Sequence, residues 1–154
     1  VKLAVVERHR RTGCLGTCLL DPAYGLRGGA IATSVSHDSH NVVVAGDDEE
    51  DMALAVQKIV EMQGGIVMAS KGKVLDALPL PVAGFMSVRT PEETAAAIRR
   101  LTKLAHGHYG ISKDSGAFMT LSFLALPVIP HLKLTTKGLF DVTRFEFVPN
   151  DAGA

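Results

Sequence analysis

The sequence predicts an α+β fold in which a mixed, largely antiparallel sheet packs against two or three helices. Strand-like runs joined by short polar turns occur towards both ends of the chain, as in β-hairpins. Two other segments show the periodicity and the capping residues of amphipathic helices. The regular alternation of strands and helices that indicates a parallel sheet is missing from the sequence. The length of 154 residues fits one domain, which we expect at residues 1–150.

The first strands are predicted from four apolar runs, at residues 2–7, 14–20, 30–35 and 42–45. The first two runs flank the charged turn 8–13 and therefore predict a hairpin. Pro22 and several glycines predict a loop before the third run. A polar segment, residues 36–41, separates the third run from the fourth.

The clearest helix follows the fourth run. Asp47 or Asp48 can cap it, and the acidic residues 49–51 favour its positive N-terminal end. Glycines at positions 64 and 65 end it. Its predicted buried face consists of residues at helical spacing, namely Met52, Ala55, Val56, Ile59, Val60 and Gln63.

A hairpin and a second helix come next. Residues 66–69 and 74–78 flank a short polar turn, which predicts the hairpin. Thr90 as N-cap, Pro91 in the first turn and Glu93 in a capping box predict where the helix begins. Its predicted buried stripe is Ile98, Leu101, Leu104 and Ala105.

The C-terminal part of the sequence is less decisive. Residues 115–126 fit a short buried helix or a strand, because an apolar run of that length does not distinguish the two. Pro127 and Pro130 end this run. Residues 132–134 and 144–148 are predicted as the final strands, which brings the chain to roughly seven strands.

Composition argues against several classes of protein. Lys plus Arg equals Asp plus Glu, at 16 each, whereas a nucleic-acid-binding protein usually carries a basic excess. No apolar run reaches the roughly 18 residues of a membrane-spanning helix. Cys14 and Cys18 match neither a zinc knuckle nor a redox pair, and we interpret them as reduced core thiols of a cytoplasmic protein. Because the chain starts at Val1 without a Met, we expect it to be part of a longer protein.

The most prominent candidate site is the polar segment between two apolar strands, which reads Ser36, His37, Asp38, Ser39, His40, Asn41. His and Asp bind metals, transfer protons or contact polar ligands, whereas a purely geometric connection would more often use Gly, Asn or Pro. Three interpretations stay open. His37, Asp38 and His40 bind a metal; the segment lines a substrate pocket; or it is a polar turn that satisfies its own hydrogen bonds.

A second charged cluster, Glu7, Arg8 and His9, follows the first predicted strand. Such a triplet is usually a solvated strand end. If the first and third strands are near neighbours, the cluster lies beside the His37 segment, where Glu7 or Arg8 would orient a ligand or hold His37. The sequence does not show that adjacency.

Motifs of several enzyme classes are missing from the sequence. It contains no P-loop, no G-x-G-x-x-G, no H-E-x-x-H, no G-x-S-x-G and no zinc signature of the cytidine deaminase type. We therefore expect no complete catalytic apparatus of a standard kind within this chain, and we assign no cofactor to it.

Several long motifs run in order along the chain. They are V-E-R-H-x-x-T-G at 6–13, G-G-A-I-A-T-S-V-S-H-D-S-H-N at 28–41, Q-G-G-I-V at 63–67, L-P-L-P-V-A-G at 78–84 and F-M-T-L-S-F-L-A-L-P-V-I-P at 118–130. Together they resemble the C-terminal region of bacterial-type adenine deaminases, which belong to the amidohydrolase superfamily. The resemblance extends from about residue 6 to residue 148.

The resemblance implies an enzyme that converts adenine and water to hypoxanthine and ammonia. In that family a hydroxide activated by manganese or iron attacks C6 of the purine, and the metal ligands lie on an upstream (β/α)8 barrel that this chain lacks. We therefore expect this domain to wall or cover the barrel's active site, with His37, Asp38 and His40 as catalytic residues. The expected substrate-binding residues are Glu7, Arg8, His9, Ser36 and Asn41.

The expected partners are the upstream barrel, adenine and further copies of the chain in a homo-oligomer, with neither nucleic acid nor a membrane among them. The isolated chain is expected to be inactive. Two alternatives remain: an independent purine-binding or regulatory module, and a structural domain for packing or oligomerisation. The structural alternative implies an apolar patch facing the barrel.

Overall fold

The computed structural model describes residues 1–150 and confirms the α+β class. Two antiparallel sheets and three α-helices make up the described part. The strands are β1 (Lys2–Val6), β2 (Leu15–Leu19), β3 (Ala30–Thr33), β4 (Val42–Gly46), β5 (Gly65–Ser70), β6 (Lys73–Pro79), β7 (Leu132–Thr135), β8 (Gly138–Asp141) and β9 (Glu146–Phe147). The helices are α1 (Glu49–Glu61), α2 (Pro91–Gly107) and α3 (Ala117–Phe123), with a short 3₁₀ helix at Pro22–Tyr24. None of the helices described is long and apolar enough to cross a membrane.

The main sheet has six strands in the order β2-β1-β4-β3-β5-β6. Each neighbouring pair described is antiparallel, and Val43 of β4 lies opposite both Val5 of β1 and Thr33 of β3. Because successive residues of a strand point to opposite faces, both faces of the sheet's central strands carry apolar side chains. Helices cover both faces, so the domain has three layers.

The α1 layer packs on a face of small residues. Met52, Ala55 and Ile59 of α1 contact sheet residues that are mainly alanine and valine: Ala4, Ala30, Ala32, Val42, Val44, Val67 and Ala69. The side chain of Asp48 caps the helix by accepting from the N–H of Asp51 at 2.9 Å. Buried Asp51 in turn accepts from the N–H groups of Lys71 and Gly72, at 2.8 Å each, and so fastens the β5–β6 turn to the helix.

The opposite face packs against α2, α3 and the segment between them. Leu101, Tyr109 and Leu121 are fully buried against larger sheet residues, which include Leu3, Val5, Ile31, Val43, Met68 and Leu78. The hydroxyl of Tyr109 donates to the carbonyl of Ala69 at 2.8 Å. Residues 115–126, which the sequence left ambiguous, contain helix α3. A helix this short is not stable alone, and its apolar packing against the sheet stabilises it.

Four expectations about burial are wrong. Val60 and Gln63 were predicted on the buried face of α1, but both are exposed, because they border an open cavity beside the turn after β1 and Gln63 lies beyond the end of the helix. Ile98 was predicted in the buried stripe of α2, but it is 42% exposed, because it lies over an open cavity at the end of the sheet. Leu101 and Ala105 of the same stripe are fully buried. Cys14 was predicted as a core thiol, but it is exposed, because β2 begins only at the next residue.

The second sheet, in the order β7-β8-β9, packs against β2. A β-carbon on Gly16 would overlap the carbonyl of Thr135, so this contact requires glycine. Strand β8 was not predicted, because its four residues carry no alternation long enough to detect. Among residues 1–150, nothing covers the other face of β1 and β2 beside α1, where a groove of about 850 Å³ is lined by Leu15, Leu19, Met52 and Val56 among others.

The antiparallel order brings several connections to one end of the main sheet. Val6 ends β1 opposite Val42, where β4 begins, while β3 ends and β5 begins at the same level. The turn after β1, the polar segment between β3 and β4, and the segment after β6 therefore meet at this end. It is called the loop end below.

The difference between Leu101 and Ile98 is testable. Leu101→Ala removes a fully buried side chain and should lower the free energy of unfolding by about 2–5 kcal/mol. Ile98→Ala, one turn earlier on α2, should cost less than about 1 kcal/mol because the side chain is already half in water. Urea denaturation of both variants measures this, and equal losses would contradict the packing described.

Candidate functional site

The polar segment, residues 36–41, forms a tight loop at the loop end. It is called the His loop below. The N–H of His40 donates to the carbonyl of Ser36 at 2.6 Å, and the N–H of Ser36 approaches Nδ1 of His40 at 3.4 Å. His40 has a φ of +49°, in the left-handed region. The loop therefore closes on itself, which presents its middle residues outward.

The two histidines belong to a row of four aromatic rings in contact. His40 stacks on Phe85 with centroids 4.7 Å apart, and His37 stacks on Phe123 at 5.3 Å. The two imidazoles meet edge to face at 5.7 Å. Contacts of this kind fix ring orientation and leave the ring nitrogens free for hydrogen bonds. The row holds both imidazoles in defined positions between the segment after β6 and helix α3.

Sequence reasoning missed Phe85 and Phe123. Phe85 lies in a turn rich in proline and glycine, and Phe123 is the last residue of α3. A lone aromatic residue in a turn was the only local signal, and nothing in the sequence links either ring to the His loop. The stacking depends on segments far apart in the chain.

A cavity of about 280 Å³ lies beside His37, between the sheet, α2 and α3. Most of its lining is apolar, with Thr94 and Ser122 among the few polar groups. Three of the apolar residues around it are also exposed: Phe85 at 41%, Ile98 at 42% and Met119 at 59%. The polar loop thus stands next to exposed apolar surface.

The cluster that follows β1 does lie beside the His loop. Strands β1 and β3 are both neighbours of β4, so their connections meet at the loop end. Nε2 of His9 donates to the carbonyl of Ser39 at 2.6 Å. The N–H of Arg8 donates to Oδ1 of Asn41 at 3.2 Å, and its guanidinium reaches the carbonyl of His40. The adjacency that the sequence left open is therefore present.

Glu7 organises its own turn. Its carboxylate accepts from the N–H groups of His9, Arg10 and Thr12 at 2.6–3.1 Å, and from the hydroxyl of Thr12. Desolvation acts to raise the pKa of this carboxyl, but the backbone hydrogen bonds outweigh it and lower the pKa to about 2. These contacts assign the carboxylate to the turn, and its expected role as a substrate ligand stays a prediction.

Asp38 and Ser36 differ from their neighbours. Asp38 is exposed, and its carboxylate makes no hydrogen bond or ion pair within residues 1–150. Ser36 is fully buried, and its Oγ has no hydrogen-bond partner in the same part of the chain. A buried polar atom usually has a partner, so this hydroxyl is a group that a ligand or a docked surface can satisfy.

The described residues do not fit the manganese or iron that the resemblance implies. Across positions 1–150, no three His, Cys, Asp or Glu side chains are grouped to hold a metal ion. The imidazoles of His37 and His40 meet edge to face and do not converge with Asp38 on a common point. The interpretation of the His loop as a metal site therefore has no geometric support.

The role of Glu7 predicts a pH dependence. Because its pKa is lowered from 4.5, its stabilising contribution is complete above pH 4.5 and is lost as the pH falls towards about 2. The melting temperature of the wild type should therefore fall more steeply over this range than that of Glu7→Gln. Thermal melts followed by circular dichroism test this. Glu50→Gln, at an exposed carboxylate without a described hydrogen bond, should keep the wild-type slope.

Comparisons with known proteins agree with the resemblance seen in the sequence. The family model described as the adenine deaminase C-terminal domain matches residues 1–146. The chain is 56% identical to an adenine deaminase of Nitratidesulfovibrio vulgaris, 45% to one of Clostridium acetobutylicum and 47% to one of Brucella abortus. These alignments cover 96–97% of the chain but only 25–26% of each relative. This chain spans about a quarter of those relatives' length, and it belongs to the adenine deaminase C-terminal domain family.

Proposed function

We propose that this domain walls the active site of an adenine deaminase, whose metal-bearing barrel lies in the preceding part of the protein. The reaction breaks the bond between C6 and the amino group of adenine, forms a C6–O bond from water, and yields hypoxanthine and ammonia. The observation that carries the proposal is the exposed carboxylate of Asp38, which has no hydrogen-bond or ion-pair partner within residues 1–150 and lies in a loop whose two imidazoles are oriented by ring contacts.

The chemistry of the His loop suits proton transfer. Deamination requires a proton to leave the attacking water and a proton to reach the departing amino group. A carboxylate and two imidazoles are the groups that most often move protons in enzymes. In this proposal His37, Asp38 and His40 contact the purine or the attacking water. The manganese or iron of the family, when bound by the barrel, supplies activation of that water.

The residues around these three complete the proposed wall. Ser36 and Asn41 flank them, and the buried hydroxyl of Ser36 is available to a ligand. His9 supports the loop by donating to the carbonyl of Ser39, and Glu7 orders the turn that carries His9. Direct contact of Ser36, Asn41, Glu7 or His9 with substrate is part of the proposal, whereas the guanidinium of Arg8 is bound to the carbonyls of His40 and Ala83.

The exposed apolar residues beside His37 favour a docked domain. Phe85, Ile98 and Met119 expose apolar surface next to the polar His loop. Such a surface suits an interface with another domain that has polar functional groups at its centre. The same surface supports the structural alternative, in which the loop is inert. We also propose that the protein is a cytoplasmic homo-oligomer.

Asp38 provides the sharpest test. In a full-length adenine deaminase whose C-terminal domain is this chain, Asp38→Asn should lower kcat/KM by about 10²–10⁴-fold, the usual contribution of a general acid or base. Because the carboxylate has no partner within the described residues, the melting temperature should change little. Asp114→Asn, at another exposed loop aspartate, is the matched control and should keep wild-type kinetics. Unchanged kinetics in Asp38→Asn would refute the proposed role.

An independent purine-binding module makes a different prediction for the isolated chain. The cavity beside His37, at about 280 Å³, is near the lower limit for small-molecule pockets, and this favours the module as the second candidate. A domain that completes the site of another domain should bind adenine weakly or not at all. Titration calorimetry of the 154-residue chain with adenine should therefore show no saturable heat at millimolar ligand, and the chain should release no ammonia. Micromolar binding would favour the module.

A further inference from the structure

Arg8 connects three segments at the loop end. Its backbone N–H donates to the side chain of Asn41, its Nε donates to the carbonyl of His40 at 3.0 Å, and its Nη2 donates to the carbonyl of Ala83 at 2.7 Å. The side chain is partly buried. We propose that Arg8 is a positioning residue, which fixes the His loop against the turn of Phe85 so that the rings of His40 and Phe85 stay stacked.

The turn that carries Phe85 is shaped to accept the guanidinium. A β-carbon on Gly84 would overlap the Cζ and both Nη atoms of Arg8, so the guanidinium lies directly on the backbone of this turn. Gly84 also has a φ of +83°, which glycine adopts without strain. The neighbouring Val82–Met86 bridge closes the turn on itself. The arginine and the glycine therefore form a matched pair.

Buried Ser34 holds the same turn from the inside. Its hydroxyl donates to the carbonyl of Gly84 at 2.5 Å and accepts from the N–H of Gly65 at 2.7 Å. The turn is thus fastened to the ends of β3 and β5 by Ser34 and to the His loop by Arg8. Because Ser34 does not touch the His loop in the described contacts, Arg8 is the side chain that links the two ring-bearing segments.

Arginine is suited to this position for a geometric reason. Its planar guanidinium carries five N–H donors in a fixed arrangement, so two nitrogens can serve two carbonyls on different segments. Lysine has one flexible nitrogen and cannot hold both carbonyls at the same separation. Hydrogen bonds from a charged donor are also stronger than neutral ones. Arg8→Lys therefore keeps the charge and removes the positioning.

The first experiment uses the 154-residue chain and does not depend on any activity. In Arg8→Lys, NMR should show that the ring protons of His40 lose the shift caused by stacking on Phe85. Amide hydrogen exchange of His40 and Asn41 should speed up by about tenfold or more. Arg10→Lys is the control, because the side chain of Arg10 makes no hydrogen bond in the described part of the chain. Wild-type His40 shifts and exchange in Arg8→Lys would overturn the inference.

Gly84→Ala approaches the same contact from the other partner. Its β-carbon should displace the guanidinium and reproduce the loss of the His40 shift. The double variant Arg8→Lys with Gly84→Ala should change the His40 shift and the amide exchange no more than either single variant does. The reason is that both substitutions remove the same contact. Additive effects on the His40 shift and on amide exchange would overturn the inference. If one of the single variants is too unstable to measure, the other still tests the same contact.

The catalytic consequence rests on the proposed function. In the full-length enzyme, Arg8→Lys should lower kcat by about 10–100-fold with KM changed less than about threefold, as expected when catalytic groups are misplaced. A higher KM at unchanged kcat would place Arg8 on the substrate itself and overturn the inference. If NMR shows the loosened loop while deamination stays at the wild-type rate, the positioning role stands and the proposed function fails.

Discussion

Burial of both faces of the main sheet is the constraint on which the rest of the structure depends. The strands β3, β4 and β5 have no exposed residue, because α1 covers one face and α2 with α3 cover the other. A shift of one residue in any of these strands would exchange the small side chains that face α1 with the larger ones that face α2 and α3. The register is therefore fixed, and the positions of the connections at the loop end are fixed with it.

The loop end shows how a rigid sheet supports a polar site. Backbone carbonyls of the His loop are bound by side chains from the turn after β1, and the histidine rings rest on phenylalanines from two other segments. The carbonyls of Ser36, Ser39 and His40 are thereby satisfied within the domain. Within the described residues, what remains for an outside ligand is the carboxylate of Asp38, the ring nitrogens of His37 and Nε2 of His40. Loops held by a rigid scaffold commonly carry function in this way.

Local signals in the sequence predicted much of the fold, and long-range contacts account for what was missed. The caps at Asp48 and Thr90 were predictable because capping depends on residues within one turn. The His loop stood out by composition alone. The exposure of Ile98 was not predictable, because helical spacing does not show where the sheet beneath a helix ends. Phe85, Phe123 and the contacts of Arg8 could not be predicted either, since they join segments 30 or more residues apart.

The face of β2 that no part of residues 1–150 covers has a consequence for motion within the domain. With the groove on one side and Leu19 78% exposed, β2 is held to β1 with less apolar support than the strands at the centre. Local opening of the native state should begin at such a border strand. The hydrogen bonds of the Glu7 carboxylate lie wholly within residues 7–12, so they persist when β2 separates. The segment that bears Arg8 can then keep its conformation while β2 opens locally.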